Sequence, residues 1–381
     1  MENLKTDVVV AGAGPAGMAV AIGLAKQGID FVILDGLAEA QNTSRAAVIH
    51  AATLDVMRRL DVTDRMIEQG IRVPQFRIRD RDRVLMHADF SRLDVATPYA
   101  LMIPQDESEA LLVDSLASLG HRIRRPVNVT TVEETPSGAR VIGEGPAGGI
   151  TIDCRYVVGA DGEKSTVRTA AGIEFPGETY GSFLLADVRM DWPIAREEVT
   201  LFFSEGGTLV VAPMSKERYR VVAQLPDAPS VPTVADVRRV IDARGPRHGA
   251  KVNELLWGSR FQVHHKLADR FRDGPILLAG DAAHVHSPAG GQGMNLGLRD
   301  AVALSAALGE TLRSGDDAAL DRYAAQRRAA AAEVLEMTDR LTKVATFGNP
   351  MLRWARNRVI SAAATIPAIR RKVARTLAGV S

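Results

Sequence analysis

Cysteine is almost missing from this chain of 381 residues, which contains one, Cys154. A single thiol excludes a disulfide within the chain and is typical of a reducing compartment, so we expect a cytoplasmic protein. Cys154 lies in an apolar run that is typical of a strand, which favours a packing role over a reactive one. The length exceeds what one simple core usually holds and indicates two closely joined domains.

An excess of charge of either sign is also missing, since 47 Lys and Arg residues face 46 Asp and Glu residues, for a net charge of +1. Such a balance gives no overall attraction to nucleic acid, and we predict no nucleic-acid partner. The one long apolar stretch, residues 7–25, opens with the acidic Asp7 and contains regularly spaced glycines. Both features argue against a signal peptide or a membrane span, so we predict no integral membrane segment.

Residues 7–35, DVVVAGAGPAGMAVAIGLAKQGIDFVILD, have the pattern of a strand, a tight turn, a helix and a second strand. The turn contains G-x-G-x-x-G, which allows a sharp bend, close approach of a pyrophosphate and close packing of helix on strand. The helix N-terminus offers free N–H groups to phosphates, and the acid that closes the second strand can accept hydrogen bonds from ribose hydroxyls. We predict a dinucleotide site; a glycine-rich turn in another α/β fold is the alternative. The candidate contacts are Gly12, Gly14, Pro15, Ala16, Gly17 and Asp35.

Two later segments also end a buried strand in an acidic residue beside a glycine: YVVGADGEKSTVR at 156–168 and GPILLAGDAAHVHSP at 274–288. The second continues as GDAAHVHSPAGGQGMNLGLRDA, residues 280–301, which places five glycines and a proline between a short strand and a long helix pattern. Glycine weakens regular structure unless the backbone turns sharply or something approaches it closely. We therefore predict that a ligand lies against the bare main chain of this segment.

In their order and wording these three segments resemble the single-component (group A) FAD-dependent aromatic monooxygenases of the para-hydroxybenzoate hydroxylase type, over roughly residues 5–345. The resemblance extends to SRAAVIHAATLDVMRRLDV at 44–62, although Ala52 and Asp55 depart from the family pattern. It also covers IPQDESEALL, where Asp106 and Glu109 are expected to form a capping box. The resemblance implies an α/β fold: a Rossmann-like FAD-binding domain of the GR2 type, an inserted and mostly antiparallel β substrate domain, and C-terminal helices.

The resemblance also implies a set of FAD contacts. Asp281 would bond the ribityl chain, and residues 288–295 would wrap the pyrimidine edge of the flavin, with Pro288 and Asn295 positioning this loop for catalysis. Main-chain N–H groups at the start of the helix would stabilise the negative charge of reduced flavin without solvent reorganisation. No side-chain acid or base is assigned, and His284 and His286 are expected to pack beneath the loop rather than bind a metal. The remaining FAD contacts would be Arg45, Gln105, Val129, Asp161, Arg168, Gly291, Gly293 and Met294.

The resemblance divides the chain into three regions. The FAD-binding domain would take residues 1–75, 100–180 and 266–316, the substrate domain 76–99 and 181–265, and the helical C-terminal region 317–381. Residues 351–381 carry seven Lys or Arg residues and no acid. We expect this basic tail to pack on the protein's own acidic surface or on a partner subunit in a homodimer; a peripheral contact with a membrane surface or an acidic carrier protein is the alternative.

The family's reaction is expected to use NADPH or NADH and O2, with a flavin C4a-hydroperoxide transferring one oxygen atom to an aromatic substrate. One G-x-G-x-x-G is present in the sequence, so the nicotinamide would bind transiently as a co-substrate. The alternatives are a prenyl-chain reductase of the same fold, a flavin-dependent halogenase and a non-enzymatic flavin-binding protein. The halogenase segment Trp-x-Trp-x-Ile-Pro is missing from the sequence, and the nearest match is DWPI at 191–194.

Substrate contacts are predicted from the alternation of apolar and polar residues in the β-rich region. The candidates are, on one inward face, Leu201, Phe203, Val211 and Pro213, with Arg189 and Arg220 as partners for an anion or a hydroxyl. The relatives' phenol-activating tyrosines have no clear counterpart among the five tyrosines of this chain. A mostly aliphatic pocket suits a polycyclic, quinone-like or polyketide substrate.

Overall fold

The computed structural model describes residues 2–39, 46–204, 207–215, 217–287, 290–345 and 349–380. Within them the helices are α1 (Pro15–Ala25), α2 (Ala51–Met57), α3 (Thr63–Gln69), α4 (Gln105–Ser118), α5 (Thr166–Ala170), α6 (Val234–Arg244), α7 (Gly293–Ser314), α8 (Ala318–Ala345), α9 (Pro350–Ala363) and α10 (Pro367–Leu377). The strands are β1 (Glu2–Ala11), β2 (Phe31–Leu34), β3 (Val48–Ile49), β4 (Ile71–Val73), β5 (Gln75–Asp80), β6 (Arg83–Asp89), β7 (Ala100–Met102), β8 (Asn128–Thr135), β9 (Gly138–Gly145), β10 (Gly148–Gly159), β11 (Gly177–Asp191), β12 (Glu198–Ser204), β13 (Gly207–Pro213), β14 (Arg218–Gln224), β15 (Lys251–Leu267), β16 (Arg272–Asp273), β17 (Ile276–Leu278) and β18 (His284–Val285).

The first sheet is built on parallel strands. β1 lies between β10 and β2, β17 pairs with β10, and these four strands run parallel. The antiparallel β16 extends the sheet beyond β17, and the β8–β9 hairpin pairs with β10. Residues 8–11 of β1 are fully buried, because α1, α4 and α7 cover one face of the sheet while α5 and β8 pack on the other. A continuous apolar run of this kind is typical of a parallel strand that is covered on both faces.

The second sheet is mostly antiparallel, with the strand order β18-β15-β11-β14-β13-β12-β5-β6. β12 and β5 run parallel, and the other neighbouring strands of this sheet run antiparallel. Helix α6 packs on one face, where Val237, Val240 and Ile241 join a core with Leu184 and Phe202. We call the α6 side face A and the opposite side face B; directly opposite cross-strand neighbours share a face. β3, β7 and β4 form a third, small sheet.

The division into domains stays a proposal. The second sheet takes β5 and β6 from the region of the predicted segment 76–99, and β11 to β15 from the region of the predicted segment 181–265. β18, which was assigned to the FAD-binding domain by the sequence prediction, also joins this sheet by pairing with β15. Along the chain, β17 of the first sheet is therefore followed by β18 of the second sheet, just before the glycine-rich turn.

Three backbone segments meet with almost no side chain between them. A Cβ built on Gly280 would lie 2.9 Å from the Cβ of Ala16, and one built on Gly297 would lie 3.1 Å from the Cα of Gly280. Farther along the same contact, a Cβ on Gly23 would lie 2.2 Å from Ser305 Oγ. These glycines let α1 and α7 pack side by side on the parallel sheet, which brings both helix N-termini to the carboxyl edge of that sheet.

The C-terminal helices α9 and α10 both pack against β6, at the edge of the second sheet. Ala374 and Leu377 of α10 lie in a small core with Phe90 and Leu93. In the part of the chain that the structure describes, no helix combines the length and the apolar character needed to cross a bilayer.

Candidate functional site

The carboxyl ends of the parallel strands bring the predicted dinucleotide motifs to one edge of the first sheet. Gly12 follows β1, and Asp35 follows β2. Asp161 is the second residue after β10, and Asp281 lies after β17 in the short 3-10 helix Gly280–Ala282. Backbone hydrogen bonds connect these ends: Gly12 N donates to the Leu34 carbonyl at 2.8 Å, and Ala279 N donates to the Gly159 carbonyl at 3.0 Å. In open α/β sheets, ligands bind at such a carboxyl edge.

The three positions of the first loop are glycine for different physical reasons. A Cβ on Gly12, whose φ is 98°, would lie 2.2 Å from the carbonyl oxygen of Ala160, and one on Gly17 would lie 1.9 Å from the carbonyl oxygen of Gly12. Those two glycines are needed for internal packing. A Cβ on Gly14 would meet no atom within 4 Å, so its hydrogen faces open space at the N-terminus of α1. The first hydrogen bond of that helix runs from Met18 N to the Gly14 carbonyl at 3.0 Å, so the preceding main-chain amides lie outside the helical ladder.

Asp35 braces this loop from the end of β2. Its Oδ2 accepts a 2.7 Å hydrogen bond from Ala13 N, and its Oδ1 accepts one of 2.8 Å from Leu37 N. Arg125 Nη2 lies 3.7 Å from the same carboxylate and donates to the Ala13 carbonyl at 3.2 Å. The buried carboxylate therefore fixes the backbone between the first two glycines.

The second glycine-rich segment ends in a similar open N-terminus, that of α7. The first helical hydrogen bond runs from Leu296 N to the Gln292 carbonyl at 2.9 Å, so the amides of Gly293, Met294 and Asn295 precede the ladder. A Cβ on Gly293 would meet no atom within 4 Å. The main chain at Gly293, in the first turn of α7, thus faces open space as it does at Gly14.

The side chain of Asn295 ties the turn to β3. Its Oδ1 accepts a 2.7 Å hydrogen bond from His50 N, and its Nδ2 donates to the carbonyls of Val48 and Gly291 at 2.8 Å each. His50 Nε2 donates to the Gly290 carbonyl at 2.8 Å, and burial lowers the pKa of His50 to about 4. Asn295 is therefore a positioning side chain with its hydrogen-bonding groups occupied by protein. His50 was not predicted as a site residue, although it lies in the family-like segment 44–62.

Asp161 and Arg168 bond to the protein rather than face the open edge. Asp161 Oδ2 accepts hydrogen bonds from Thr166 N at 2.8 Å and Val167 N at 3.2 Å, and burial raises the pKa of this carboxyl. Arg168 donates to the Ala282 carbonyl at 2.9 Å, and burial lowers the pKa of its guanidinium. Asp161 thus holds the start of α5, and Arg168 holds the backbone next to Asp281, which is itself exposed.

Gln105 stands at the first position of α4. Its Oε1 accepts a 3.0 Å hydrogen bond from Ala46 N, and its Nε2 donates to Glu109 Oε1 at 2.7 Å. The predicted capping box is wrong, because the residue before the helix is Pro104 and no side chain caps the N-terminus. Burial raises the pKa of Glu109. Of the other predicted contacts, Val129 is buried in β8, while Arg45 and Pro288 lie outside the described residues.

A buried cluster of hydrogen-bonded side chains includes residues on both sides of the glycine-rich turn in sequence. His284 Nε2 donates to Asp300 Oδ2 at 2.6 Å, and Arg327 Nε donates to Asp300 Oδ1 at 2.6 Å. Full burial by itself raises the pKa of the Asp300 carboxyl, but the contacts with His284 and Arg327 outweigh it and hold this pKa below the usual range. His286 Nδ1 donates to the Ser287 carbonyl at 2.9 Å, and burial lowers the pKa of His286 to about 4. The cluster joins β18, α7 and α8, and Asp300 and Arg327 were not predicted although Asp300 lies in the quoted segment 280–301.

The pairing of β12 with β13 corrects the predicted substrate face. Leu201 pairs with Val210, whereas Val211 pairs with Thr200. Val211 lies in the α6 core of face A, so it points away from Leu201 and Phe203 on face B, and Pro213 follows Val211 on face A. The four predicted residues therefore do not share a face. Two strands with the same alternation of apolar residues can present them on opposite sides of the sheet, and only the register between the strands decides this.

The two predicted arginines also differ in their surroundings. Arg189 is exposed and pairs with Glu254 at 2.6 Å, so it lies on the surface. Arg220 is buried and makes a two-pronged contact with Asp187, at 2.8 and 2.9 Å, while its Nη1 donates to the Ala46 carbonyl at 2.8 Å. Arg220 and its cross-strand neighbour Asp187 are on face B, because they alternate with Val221 and Ala186 of the face A core. The bond to Ala46 joins face B to the segment just before β3 of the small sheet.

Because two histidines are buried, we predict that the protein loses stability in mild acid. Burial lowers the pKa of His50 and of His286 to about 4, below the ordinary value of 6.5. The unfolded chain therefore binds protons at both positions as the pH falls through 6.5, whereas the folded protein binds them only near 4, so the free energy of unfolding decreases across this range. Each histidine contributes a slope of about 1.4 kcal/mol per pH unit.

Denaturant unfolding between about pH 5 and 6.5, above the range where most carboxylates titrate, measures this slope. His286→Gln should reduce the slope of the unfolding free energy against pH by the contribution of one histidine. The control is His248→Gln, because His248 is exposed in the folded protein. Equal slopes in the parent and in His286→Gln would contradict the assignment.

Comparison with known proteins gives the family. Residues 5–338 match the FAD binding domain family. The chain is 35% identical over 359 residues to 12-dehydrotetracycline 5-monooxygenase/anhydrotetracycline 6-monooxygenase of Streptomyces rimosus, covering 88% of this chain and 69% of that one. Its structure is similar to those of the anhydrotetracycline hydroxylase from Streptomyces rimosus (TM-score 0.80, 32% identity, 99% and 76% of the chains) and of p-nitrophenol 4-monooxygenase from Pseudomonas putida DLL-E4 (TM-score 0.86, 25% identity, 99% and 98%).

These findings confirm the predicted fold class and enzyme class. Glycine loops that are open at two helix N-termini, on one edge of a parallel sheet, also fit a bound dinucleotide on geometric grounds. The chain belongs to the family of FAD-dependent aromatic monooxygenases.

Proposed function

We propose that this monooxygenase takes electrons from NADPH or NADH and hydroxylates a polycyclic aromatic or polyketide-like substrate held against face B. A row of aliphatic side chains on that face carries the proposal. Leu201 pairs with Val210, Val210 with Val222, and Val222 with Leu185, so the row crosses four strands. Leu201, Val210 and Val222 are only half-buried, which leaves apolar surface for a flat apolar ligand.

The relatives support the same substrate class. One is named for anhydrotetracycline and another, 33% identical, for rifampicin. The hydroxyls of Tyr156 and Tyr323 are engaged elsewhere, with Asp317 at 2.7 Å and with the Leu278 carbonyl at 2.7 Å, and burial raises the pKa of Tyr156 to about 12. Neither tyrosine is suited to deprotonate a substrate phenol. A polyketide that is already acidic and electron-rich removes the need for such a residue.

The cofactor site is proposed residue by residue. FAD, when bound, supplies the two-electron exchange with the nicotinamide and the activation of O2. The main chain at Gly14 and the first turn of α1 would hold the pyrophosphate, and the open amides of Gly293, Met294 and Asn295 would face the electron-rich edge of the flavin ring. Asp35 and Asp281 stand at strand ends where carboxylates can accept hydrogen bonds from ribose and ribityl hydroxyls.

The side chains beside these amides would position the main chain and exclude water. Asn295 and His50 hold the turn that carries Gly290 and Gly291, while Asp35 holds the first loop. Arg220 joins face B to Ala46, which keeps the substrate sheet against the small sheet that contains β3. Preorganised donors of this kind cost no rearrangement when charge develops in the reaction. The single buried Cys154 also favours a cytoplasmic location, which we propose.

Gly14→Val tests the cofactor site. The added side chain enters open space and should leave the stability of the apoprotein almost unchanged, but it occupies the place proposed for the pyrophosphate. We expect the dissociation constant for FAD to rise at least about tenfold, the effect of losing one charge-assisted hydrogen bond. Quenching of flavin fluorescence measures the affinity, and thermal unfolding of the apoprotein measures the stability.

Gly17→Val is the matched control. Its side chain would collide with the Gly12 carbonyl and should destabilise the apoprotein as well. If Gly14→Val bound FAD as tightly as the parent, the first loop would not carry the pyrophosphate.

Anaerobic reduction of the bound flavin by NADPH, with a panel of phenols, tests the substrate class. We expect tricyclic or tetracyclic polyketides to accelerate this reduction and, in separate turnover experiments with O2, to couple NADPH oxidation to hydroxylated product. Leu201→Ala should raise KM for such a substrate about tenfold, on the order of one buried apolar contact. Val211→Ala is the control, since this side chain faces α6 and should lower stability without a specific change in KM. Tight coupling only with monocyclic hydroxybenzoates would overturn the proposal.

A further inference from the structure

Helix α9 carries its apolar side chains on the outside. Met351, Trp354 and Val359 are 77%, 62% and 67% exposed, and Leu352 is exposed as well. At 100° per residue, positions 351, 355, 359 and 362 follow one stripe, with Trp354 and Arg358 along its border. A helix on the surface of a globular protein normally places its polar face outward.

The inward side of α9 is polar. Arg356 is buried and donates to the Phe203 carbonyl at 3.2 Å and to the Val344 carbonyl at 3.1 Å, with its guanidinium 4.6 Å from the centre of the Phe203 ring. Asn357 Nδ2 donates to Asp80 Oδ2 at 2.9 Å. These contacts hold the polar side of α9 against the second sheet. The apolar stripe on the opposite side of the helix therefore faces outward.

Cations but no acids accompany this apolar stripe along the chain, since residues 349–380 contain no Asp or Glu. Arg358 lies 5.2 Å from the Trp354 ring, and Arg371 and Lys372 are exposed on α10. Helices α9 and α10 pack on the same strand, β6, so they lie on the same edge of the second sheet. We define the α9–α10 surface as Met351, Leu352, Trp354, Arg358, Val359, Ile366, Arg371 and Lys372.

We propose that the α9–α10 surface docks on a membrane that contains anionic lipids, with α9 lying in the plane of the interface. Met351 and Val359 would enter the boundary between headgroups and acyl chains, and Trp354 would lie at headgroup depth, which suits its amphipathic ring. Arg358, Arg371 and Lys372 would attract the negative surface, each cation contributing severalfold to partitioning at low ionic strength.

Charge decides between this occupant and a second copy of the chain. A twofold interface would place the same cationic patch on both partners, without acids from residues 349–380 to neutralise it. An anionic lipid surface neutralises the cations and covers the apolar stripe at the same time. Large exposed apolar patches on soluble domains mark such interaction sites.

Flotation of the FAD-loaded full chain with lipid vesicles tests the proposal. One vesicle set contains phosphatidylcholine alone, and the other also contains phosphatidylglycerol. We expect the bound fraction to be at least about tenfold higher on the anionic vesicles and to fall as salt is added. Met351→Glu/Trp354→Glu/Val359→Glu should abolish binding, while flavin reduction by NADPH stays unchanged.

Two controls separate the surface from general effects. Val231→Glu changes a side chain that is 76% exposed in the loop before α6, and it should bind as the parent does. Arg371→Glu/Lys372→Glu should remove the preference for anionic vesicles, whereas Arg122→Glu, at an exposed position elsewhere, should keep it. Light scattering of the parent and of the triple variant reports the oligomeric state.

Three results would overturn the proposal. The parent could fail to float with anionic vesicles, or the triple variant could float as well as the parent. A dimer in solution that the triple variant converts to a monomer would assign the surface to a second copy instead.

Discussion

The close approach of α1, the turn at Gly280 and α7 is the constraint on which the rest of the structure depends. Gly280 and Gly297 have no Cβ, and a methyl group at either would press against Ala16 or the opposing backbone. This packing sets two helix N-termini side by side at the carboxyl edge of a parallel sheet, so their peptide dipoles and main-chain amides are placed where one ligand could contact both. A dinucleotide with a charged pyrophosphate at one end and an electron-rich ring at the other matches that pair of N-termini.

Most charged and polar side chains around this edge bond to protein main chain. Asp35 and Asn295 make hydrogen bonds with backbone groups near the open glycines, and Arg168 donates one to the Ala282 carbonyl beside Asp281. Such groups would be costly if left unpaired in the interior, and fully bonded they restrict the backbone to one geometry. Side chains therefore hold the shape of this edge, and in our proposal the main chain contacts the cofactor. Main-chain amides keep the same charge at every physiological pH, which suits a site that stabilises a developing negative charge.

The sequence motifs were sufficient to predict the fold class and the enzyme class, because glycine spacing reflects backbone geometry directly. Side-chain roles were harder to predict. Asn295 was expected to position the loop, but its partners Val48 and His50 lie about 245 residues away in sequence, and only the tertiary structure brings them together. The substrate face was partly wrong because alternation gives two faces per strand without the register between strands: Val211 pairs with Thr200 and so points away from Leu201. Likewise, the outward-facing apolar side of α9 could not be predicted from the sequence, because it depends on the buried contacts that Arg356 makes in the folded protein.

Hydrogen–deuterium exchange of the apoprotein and the FAD-loaded protein tests the central claim most directly. If two helix N-termini hold one cofactor through main-chain amides, FAD should slow exchange at Ala16 and Gly17 and, in the same experiment, at Gly293, Met294 and Asn295. Exchange in α6, which packs on the far face of the second sheet, should not change. Protection confined to the first loop, with the α7 amides unaffected, would contradict the account.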